Sequence, residues 1–157
     1  VKVLFNPSLY LAQKGFKFLK PILSVTKILV LNKEEAQALL NTKQESLIYL
    51  LHKLHSLGPE TVIITNGAKK MGAINANQLF FLIPPKVKVV QTAGAGDSFT
   101  AGFLAGIIKN YSFEDALKLG QANALSVIQK VGTKAHLLNE KEAWEMINKY
   151  RIKVRKN

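Results

Sequence analysis

Short apolar runs alternate with apolar positions at helical spacing along most of the chain. The run at 61–65 is β-branched throughout, which is typical of a central parallel strand. Similar runs at 1–5 and 27–31 predict two more strands. This alternation of strand and helix predicts an α/β fold with a mostly parallel sheet flanked by helices. The spacing of apolar residues predicts helices at 10–23, 33–40, 44–57, 97–109, 112–131 and 139–150.

One stretch departs from this alternation. Segments 71–75 and 79–83 are both strand-like, and only the three residues 76–78 lie between them. Two strands joined by so short a loop are typical of a hairpin. The sequence therefore predicts a local antiparallel hairpin beside the parallel strands.

The composition limits the class of protein. A length of 157 residues predicts a single domain over 1–157, and 48% hydrophobic residues are enough for a packed core. No apolar run approaches the roughly eighteen residues of a membrane span, and no secretory leader opens the sequence. The absence of cysteine excludes disulfides and thiolate metal sites and fits a reducing compartment. We therefore expect a cytoplasmic protein without a membrane partner.

The net charge of +12 suggests three kinds of partner: nucleic acid, a membrane surface or an anionic substrate. The lysines are spread along the chain, however, and the one dense basic cluster is the tail at 149–156. We interpret most of this charge as a solvated basic surface. A nucleic-acid-binding domain stays an alternative that salt-dependent retention of DNA would support.

The most informative stretch is the glycine turn at 92–97. Gly94 and Gly96 allow the backbone to turn tightly and to approach a ligand closely. The helix that follows directs its unpaired amides to the same place, and its dipole favours negative charge there. This pattern predicts a site for a phosphate or a developing oxyanion. Asp97 would repel a stable anion, and accepting a proton from an attacking hydroxyl suits it better.

Two further features follow predicted strands, where open α/β sheets bind ligands. Asn32 ends one strand, and the Glu35 carboxylate lies in the next helical turn, where it could hold a magnesium-bound water. Ordinary helix capping is the alternative for this pair. Thr65 and Gly67 follow another strand and offer a hydroxyl and an amide to phosphate or ribose. A plain turn is the alternative there.

In this order, Asn-x-x-Glu, Thr-x-Gly and Gly-Ala-Gly-Asp resemble the signatures of the ribokinase-like (PfkB) carbohydrate and nucleoside kinases. The resemblance covers essentially the whole chain and implies phosphoryl transfer from ATP to a hydroxyl of a sugar or related molecule. It implies that Asp97 is the base and that the amides of Gly94, Ala95 and Gly96 form the anion hole.

The same resemblance implies roles for the other candidates. Asn32 and Glu35 correspond to the pair that organises the phosphates and Mg2+, and Thr65 and Gly67 to the nucleotide-binding turn. The remaining nucleotide-binding candidates, at or beside the nucleobase pocket and the turn after the long helix, are Gln121, Asn123 and Gly132.

The chain departs from the family pattern at two positions. Gln91 stands where many relatives have an Asp that helps to hold a monovalent cation. A neutral amide cannot supply that charge, which argues against activation by potassium. Lys70 stands where the nucleotide turn usually has its last glycine, so Lys69 or Lys70 contacting phosphate is a further hypothesis.

The resemblance is to the C-terminal, nucleotide-binding half of the family alone. The chain begins at Val1 without Met, and the half that would supply the acceptor pocket is absent. We therefore expect the missing N-terminal half as a partner of this chain, and little kinase activity from this chain alone. A homodimer of the full-length protein is a further possible assembly. Two alternatives stay open, a nucleoside kinase of the same family and a nucleotide-binding module without catalysis.

Overall fold

The computed structural model describes residues 2–132 and 136–157. They divide into two compact units, Val1–Phe81 with Arg155–Asn157, and Leu82–Val154. The expectation of a single domain stays a prediction. No helix among these residues is long and apolar enough to cross a membrane.

The first unit is built on the sheet, whose six strands follow one another in chain order. The first three strands are parallel, and the fourth is antiparallel to the third. This confirms the α/β class and the mostly parallel sheet. The strands are β1 (Val3–Phe5), β2 (Thr26–Asn32), β3 (Thr61–Thr65), β4 (Met71–Asn75), β5 (Gln78–Leu82) and β6 (Val154–Lys156).

The turn between β4 and β5 has two residues rather than the three expected. Ala76 and Asn77 both have positive φ, at 47° and 60°. Positive φ at both central residues is the mark of a type I′ turn, which matches the twist of a hairpin. Because the turn is this tight, β5 begins at Gln78, one residue earlier than the apolar pattern predicts.

Four helices accompany the sheet in the first unit. The helix expected at 10–23 is two helices, because Gly15 has a φ of 75° and breaks the helical path. The helix expected at 44–57 is shorter, because the Ser46 side chain caps it by accepting from Tyr49 N. The helices are α1 (Leu9–Ala12), α2 (Gly15–Leu23), α3 (Lys33–Leu40) and α4 (Leu47–His55). They bury an aliphatic core against the strands that includes Leu23, Leu29, Leu50, Leu54 and Ile64.

The second unit contains three helices, α5 (Ala95–Ile108), α6 (Phe113–Ile128) and α7 (Glu140–Tyr150). Glycines let α5 and α6 pack at very short range. A Cβ at Gly102 would lie 2.8 Å from the Leu119 carbonyl oxygen, and one at Gly106 would lie 2.8 Å from the Ala116 Cα. On α6, a Cβ at Gly120 would likewise lie 2.8 Å from the Phe99 carbonyl oxygen of α5. This glycine seam fixes the line of α5 and hence the position of its first turn.

The chain ends in a strand that the sequence pattern did not predict. β6 lies within the basic tail that was interpreted as solvated surface, and its backbone joins the sheet next to β5. Asn157 N donates to the Leu79 carbonyl at 3.0 Å. A three-residue strand with two exposed basic residues carries too little apolar pattern to be recognised.

The glycine seam can be tested with Gly106→Ala. The added methyl would have to displace α6 backbone, so we expect a loss of about 1–3 kcal/mol in unfolding free energy. This loss should outweigh the gain of roughly 1 kcal/mol that alanine brings to a helix. Gly96→Ala is the matched control, because a Cβ at Gly96 meets nothing within 4 Å. Urea denaturation should show destabilisation at position 106 only, and equal stability of the two variants would contradict the seam.

Candidate functional site

The carboxyl ends of β2 and β3 bring four of the candidate residues together in the first unit. Asn32 and Thr65 are register partners at the last positions of these parallel strands. Glu35 lies one turn into the helix after Asn32. Gly67 lies two residues beyond Thr65, with a φ of 55° and open space where a Cβ would be. This is the edge at which open α/β sheets bind ligands.

Asn32 and Glu35 form a complete capping box at the start of α3. Glu35 N donates to Asn32 Oδ1 at 2.9 Å, and Asn32 N donates to Glu35 Oε2 at 2.7 Å. Capping is therefore a real role of this pair. The Glu35 carboxylate can still accept further hydrogen bonds or bind a metal, because its two oxygens offer about four acceptor positions and the cap uses one of them. Burial raises the pKa of Glu35; the bond from the Asn32 amide partly opposes this, and the nearby Glu34 adds to it.

A basic cavity of about 350 Å³ lies beside this edge in the first unit. Lys33, Lys69 and Lys70 all line it. Lys33 is paired with Glu45, and Lys70 Nζ lies 4.7 Å from the centre of the Phe81 ring. The hypothesis that Lys69 or Lys70 contacts phosphate stays a prediction, and this cavity is where it would apply.

The glycine turn lies in the second unit, and its left-handed residue is Gly94. Gly94 has a φ of 82° and directly precedes α5. Ala95 N donates to the Thr92 carbonyl at 3.2 Å, and Ser98 N donates to the Gly94 carbonyl at 2.9 Å. The helix therefore begins at Ala95, two residues earlier than expected, and Gly96 is a helical residue. Only Gly94 needs the conformational freedom of glycine here.

The first turn of α5 presents amides and one carboxylate. Helix geometry leaves the N–H groups of the first turn without intrahelical acceptors, and the dipole makes this end positive. The Ala95 N–H is already engaged with Thr92, so Gly96 N is the better placed of the two to meet an anion. Asp97 is exposed, and no side-chain bond caps this helix. An exposed carboxylate thus lies beside donor amides.

Gln121 and Asn123 are both buried in α6, each about 7% exposed. Both ends of the Asn123 carboxamide are occupied within the second unit. Its Nδ2 donates to the Ser98 carbonyl at 2.8 Å, and its Oδ1 accepts from Leu138 N at 3.0 Å. Asn123 therefore ties the first turn of α5 to α6 and to the segment before α7. Nucleotide contact by either residue stays a prediction.

Gly132 has a φ of 109°, and its N–H donates to Gln91 Oε1 at 3.0 Å. The role of Gly132 at the nucleotide stays a prediction as well. Sequence reasoning noted Gln91 only as a departure from a family pattern and missed this contact. Since 41 residues separate the two partners, no local spacing could have predicted it.

Among residues 2–132 and 136–157, no group of three or more His, Cys, Asp or Glu side chains is placed to hold a metal. Mg2+ is usually held by one or two carboxylates together with substrate phosphates. Glu35, which keeps acceptor capacity beyond its cap, fits a metal that arrives with a phosphorylated substrate.

Comparisons with known proteins confirm the resemblance. The sequence model described as pfkB family carbohydrate kinase matches residues 3–140. A ribokinase from Haemophilus influenzae is 28% identical over 150 residues, which are 94% of this chain and 47% of that protein. The solved nucleoside kinase of Methanocaldococcus jannaschii superposes with a TM-score of 0.79 at 27% identity, covering 94% of this chain and 48% of that one.

A ribokinase from Arabidopsis thaliana, solved with ribose and ATP, has the same fold with a TM-score of 0.81 at 24% identity. That match covers 94% of this chain and 47% of the plant protein. The chain thus spans about half the length of the curated relatives it matches.

Asn139 and Glu142 form a second complete capping box, at the start of α7. It provides a matched control for Asn32. Asn32→Ala and Asn139→Ala should each lower the unfolding free energy by about 1 kcal/mol, because each removes one N-cap. Thermal or urea denaturation measures both losses. An Asn32→Ala loss much below that of Asn139→Ala would contradict the capping role of Asn32.

Proposed function

We propose that this chain, which belongs to the pfkB family of carbohydrate kinases, supplies the ATP site and the catalytic base of a phosphoryl transfer to a hydroxyl. The acceptor would be a sugar or a related small molecule. The observation that carries the proposal is the first turn of α5. There a left-handed glycine, the amides of a helix N-terminus without a side-chain cap, and the exposed Asp97 lie together.

In the proposed reaction Asp97 accepts the proton of the acceptor hydroxyl as its oxygen attacks the γ-phosphorus of ATP. The bond from that phosphorus to the bridging oxygen breaks, and ADP leaves with the bonding electron pair. The amides of Gly94, Ala95 and Gly96 stabilise charge on the transferring group, with Ala95 the weakest donor because Thr92 shares it. Catalysis of this kind depends mainly on positioning and charge stabilisation.

In this proposal, the candidate residues of the first unit bind the nucleotide and its metal. Thr65 and Gly67 offer a hydroxyl and an amide to the nucleotide, and Asn32 and Glu35 hold phosphate and Mg2+. The metal would neutralise charge on the phosphates. Gln121 and Asn123 are proposed near the nucleobase, and Gly132, in the turn after the long helix, is proposed as a further nucleotide-binding residue.

We expect no requirement for potassium. Gln91 is neutral, and its side-chain oxygen accepts from Gly132. The charge that would attract a monovalent cation is therefore absent at this position.

The molecule that accepts the phosphoryl group could belong to either of two classes, sugars or nucleosides. The relatives include a ribokinase at 28% identity and a nucleoside kinase at 29%, so similarity favours neither. A nucleotide-binding module without catalysis is the other candidate. The exposed Asp97 argues against it, because a site that only binds a nucleotide gains nothing from a carboxylate beside the phosphates.

Asp97→Asn tests the base. In the full-length gene product, assayed with ATP, Mg2+ and a panel of sugars and nucleosides, turnover should fall by roughly 10²–10⁴-fold, the contribution of a general base. ATP affinity should be nearly unchanged. Asp115→Asn is the control, since that carboxylate is held by Lys118. Turnover that survives Asp97→Asn would disprove the base, and ATP binding by a wild type that phosphorylates no acceptor would favour the non-catalytic module.

Glu35→Gln tests the metal, with Glu142→Gln as the matched control from the other capping box. Glutamine preserves the capping bond in both places and removes only the charge. We expect Glu35→Gln to weaken the Mg2+-dependent part of ATP binding by about 10-fold or more, as loss of a supporting group at a metal site does. Calorimetric titration with and without Mg2+ measures this. If both variants bind ATP with the same dependence on Mg2+, Glu35 has no role at the metal and only caps its helix.

A further inference from the structure

The segment that leads into the glycine turn has no helix or strand of its own, from 83 to 92. Its position depends on a few hydrogen bonds to the end of α6. Val90 N and Gln91 N both donate to the Ile128 carbonyl, at 2.8 and 3.3 Å. The Gln91 side chain then accepts from Gly132 N at 3.0 Å. Gln91 therefore contacts both the last turn of α6 and the chain just beyond it.

We propose that Gln91 is a positioning residue that fixes the direction of the amides in the glycine turn. The proposal rests on the function proposed above, in which that turn receives the transferring phosphoryl group. Only Thr92 and Ala93 separate Gln91 from Gly94, and Thr92 is itself tied to Ala95 N. A displacement of Gln91 therefore reaches Gly94 through two residues, and the Thr92–Ala95 hydrogen bond carries it into the first turn of α5.

The other side of the turn is held in a similar way. The Asn123 side-chain Nδ2 donates a hydrogen bond to the carbonyl of Ser98, the residue directly after Asp97. The entry to the first turn of α5 and its exit are each held by a side-chain amide that links to α6 or to the chain just after it. A carboxamide can do this as a donor or as an acceptor without adding charge near an anion site.

A merely structural role for Gln91 predicts a different outcome. Loss of one hydrogen bond would then lower global stability and would weaken all ligands alike. A positioning role predicts that the phosphate part of ATP binding suffers and the nucleoside part does not. Local opening of the turn should accompany this change.

The experiment uses this chain and three variants. Gln91→Met keeps the length of the side chain but has no strong acceptor, whereas Gln91→Glu keeps an acceptor oxygen. Gln129→Met is the control, because Gln129 also lies at the end of α6 but bonds to Leu125 and Tyr150. Amide hydrogen exchange is followed at Val90, Ala95 and Ser98, and the affinities for ATP and for adenosine are measured.

Gln91→Met should speed exchange at these amides about tenfold, the effect of one lost hydrogen bond, and should weaken ATP but not adenosine. Gln91→Glu should retain wild-type exchange, and Gln129→Met should leave both readouts unchanged. Unchanged exchange in Gln91→Met, or an equal loss of ATP and adenosine affinity, would overturn the proposal. If Gln91→Met does not fold, Gln91→Asn replaces it, since its amide is one methylene too short to reach Gly132.

A wild-type chain that binds no ATP would contradict the function proposed for the turn. The exchange comparison would still decide whether Gln91 holds the turn, so the two failures are distinguishable.

Discussion

The close approach of α5 and α6 is the constraint on which the second unit depends. Gly102, Gly106 and Gly120 allow the helix backbones to approach so closely that a Cβ at any of them would lie 2.8 Å from a neighbouring atom. Phe99 and Phe103 fill the space beside this seam, and the Phe103 ring meets the Phe113 ring edge-on. An interior packed this closely leaves little room for α5 to shift against α6, so the seam fixes the axis of α5. The hydrogen bonds on either side of its first turn then orient the amides and the carboxylate that this turn carries.

Two identical motifs show how far a sequence motif can be interpreted. Asn32 with Glu35 and Asn139 with Glu142 have the same spacing, and both form complete capping boxes. Nothing in the four residues themselves distinguishes a cap from a ligand site. What differs is the neighbour, because Asn32 ends a parallel strand opposite Thr65, whereas Asn139 follows a loop. The placement at a sheet edge therefore supports a role for the first pair beyond capping.

Elements dominated by apolar periodicity were predictable, and those decided by backbone conformation or by distant contacts were not. The strand Thr61–Thr65 and the helix Lys33–Leu40 have the bounds that their patterns predict. The break at Gly15 and the tight turn at Ala76 depend on left-handed residues that periodicity does not register. Asn32 and Thr65 were each expected directly at the end of a strand, and the structure makes them register partners at the last positions of β2 and β3. The Gln91–Gly132 contact joins distant parts of the chain and has no local signal.

In the part of the chain that the structure describes, the hydrogen bonds named above at the glycine turn lie within the second unit. Ile128 and Gly132 hold its entry through Val90 and Gln91, and Asn123 holds its exit. The direction of its amides is thus set by contacts that this chain makes with itself. A kinase must also place an acceptor hydroxyl against the phosphorus, and the residues that do so need not be those that fix the amides.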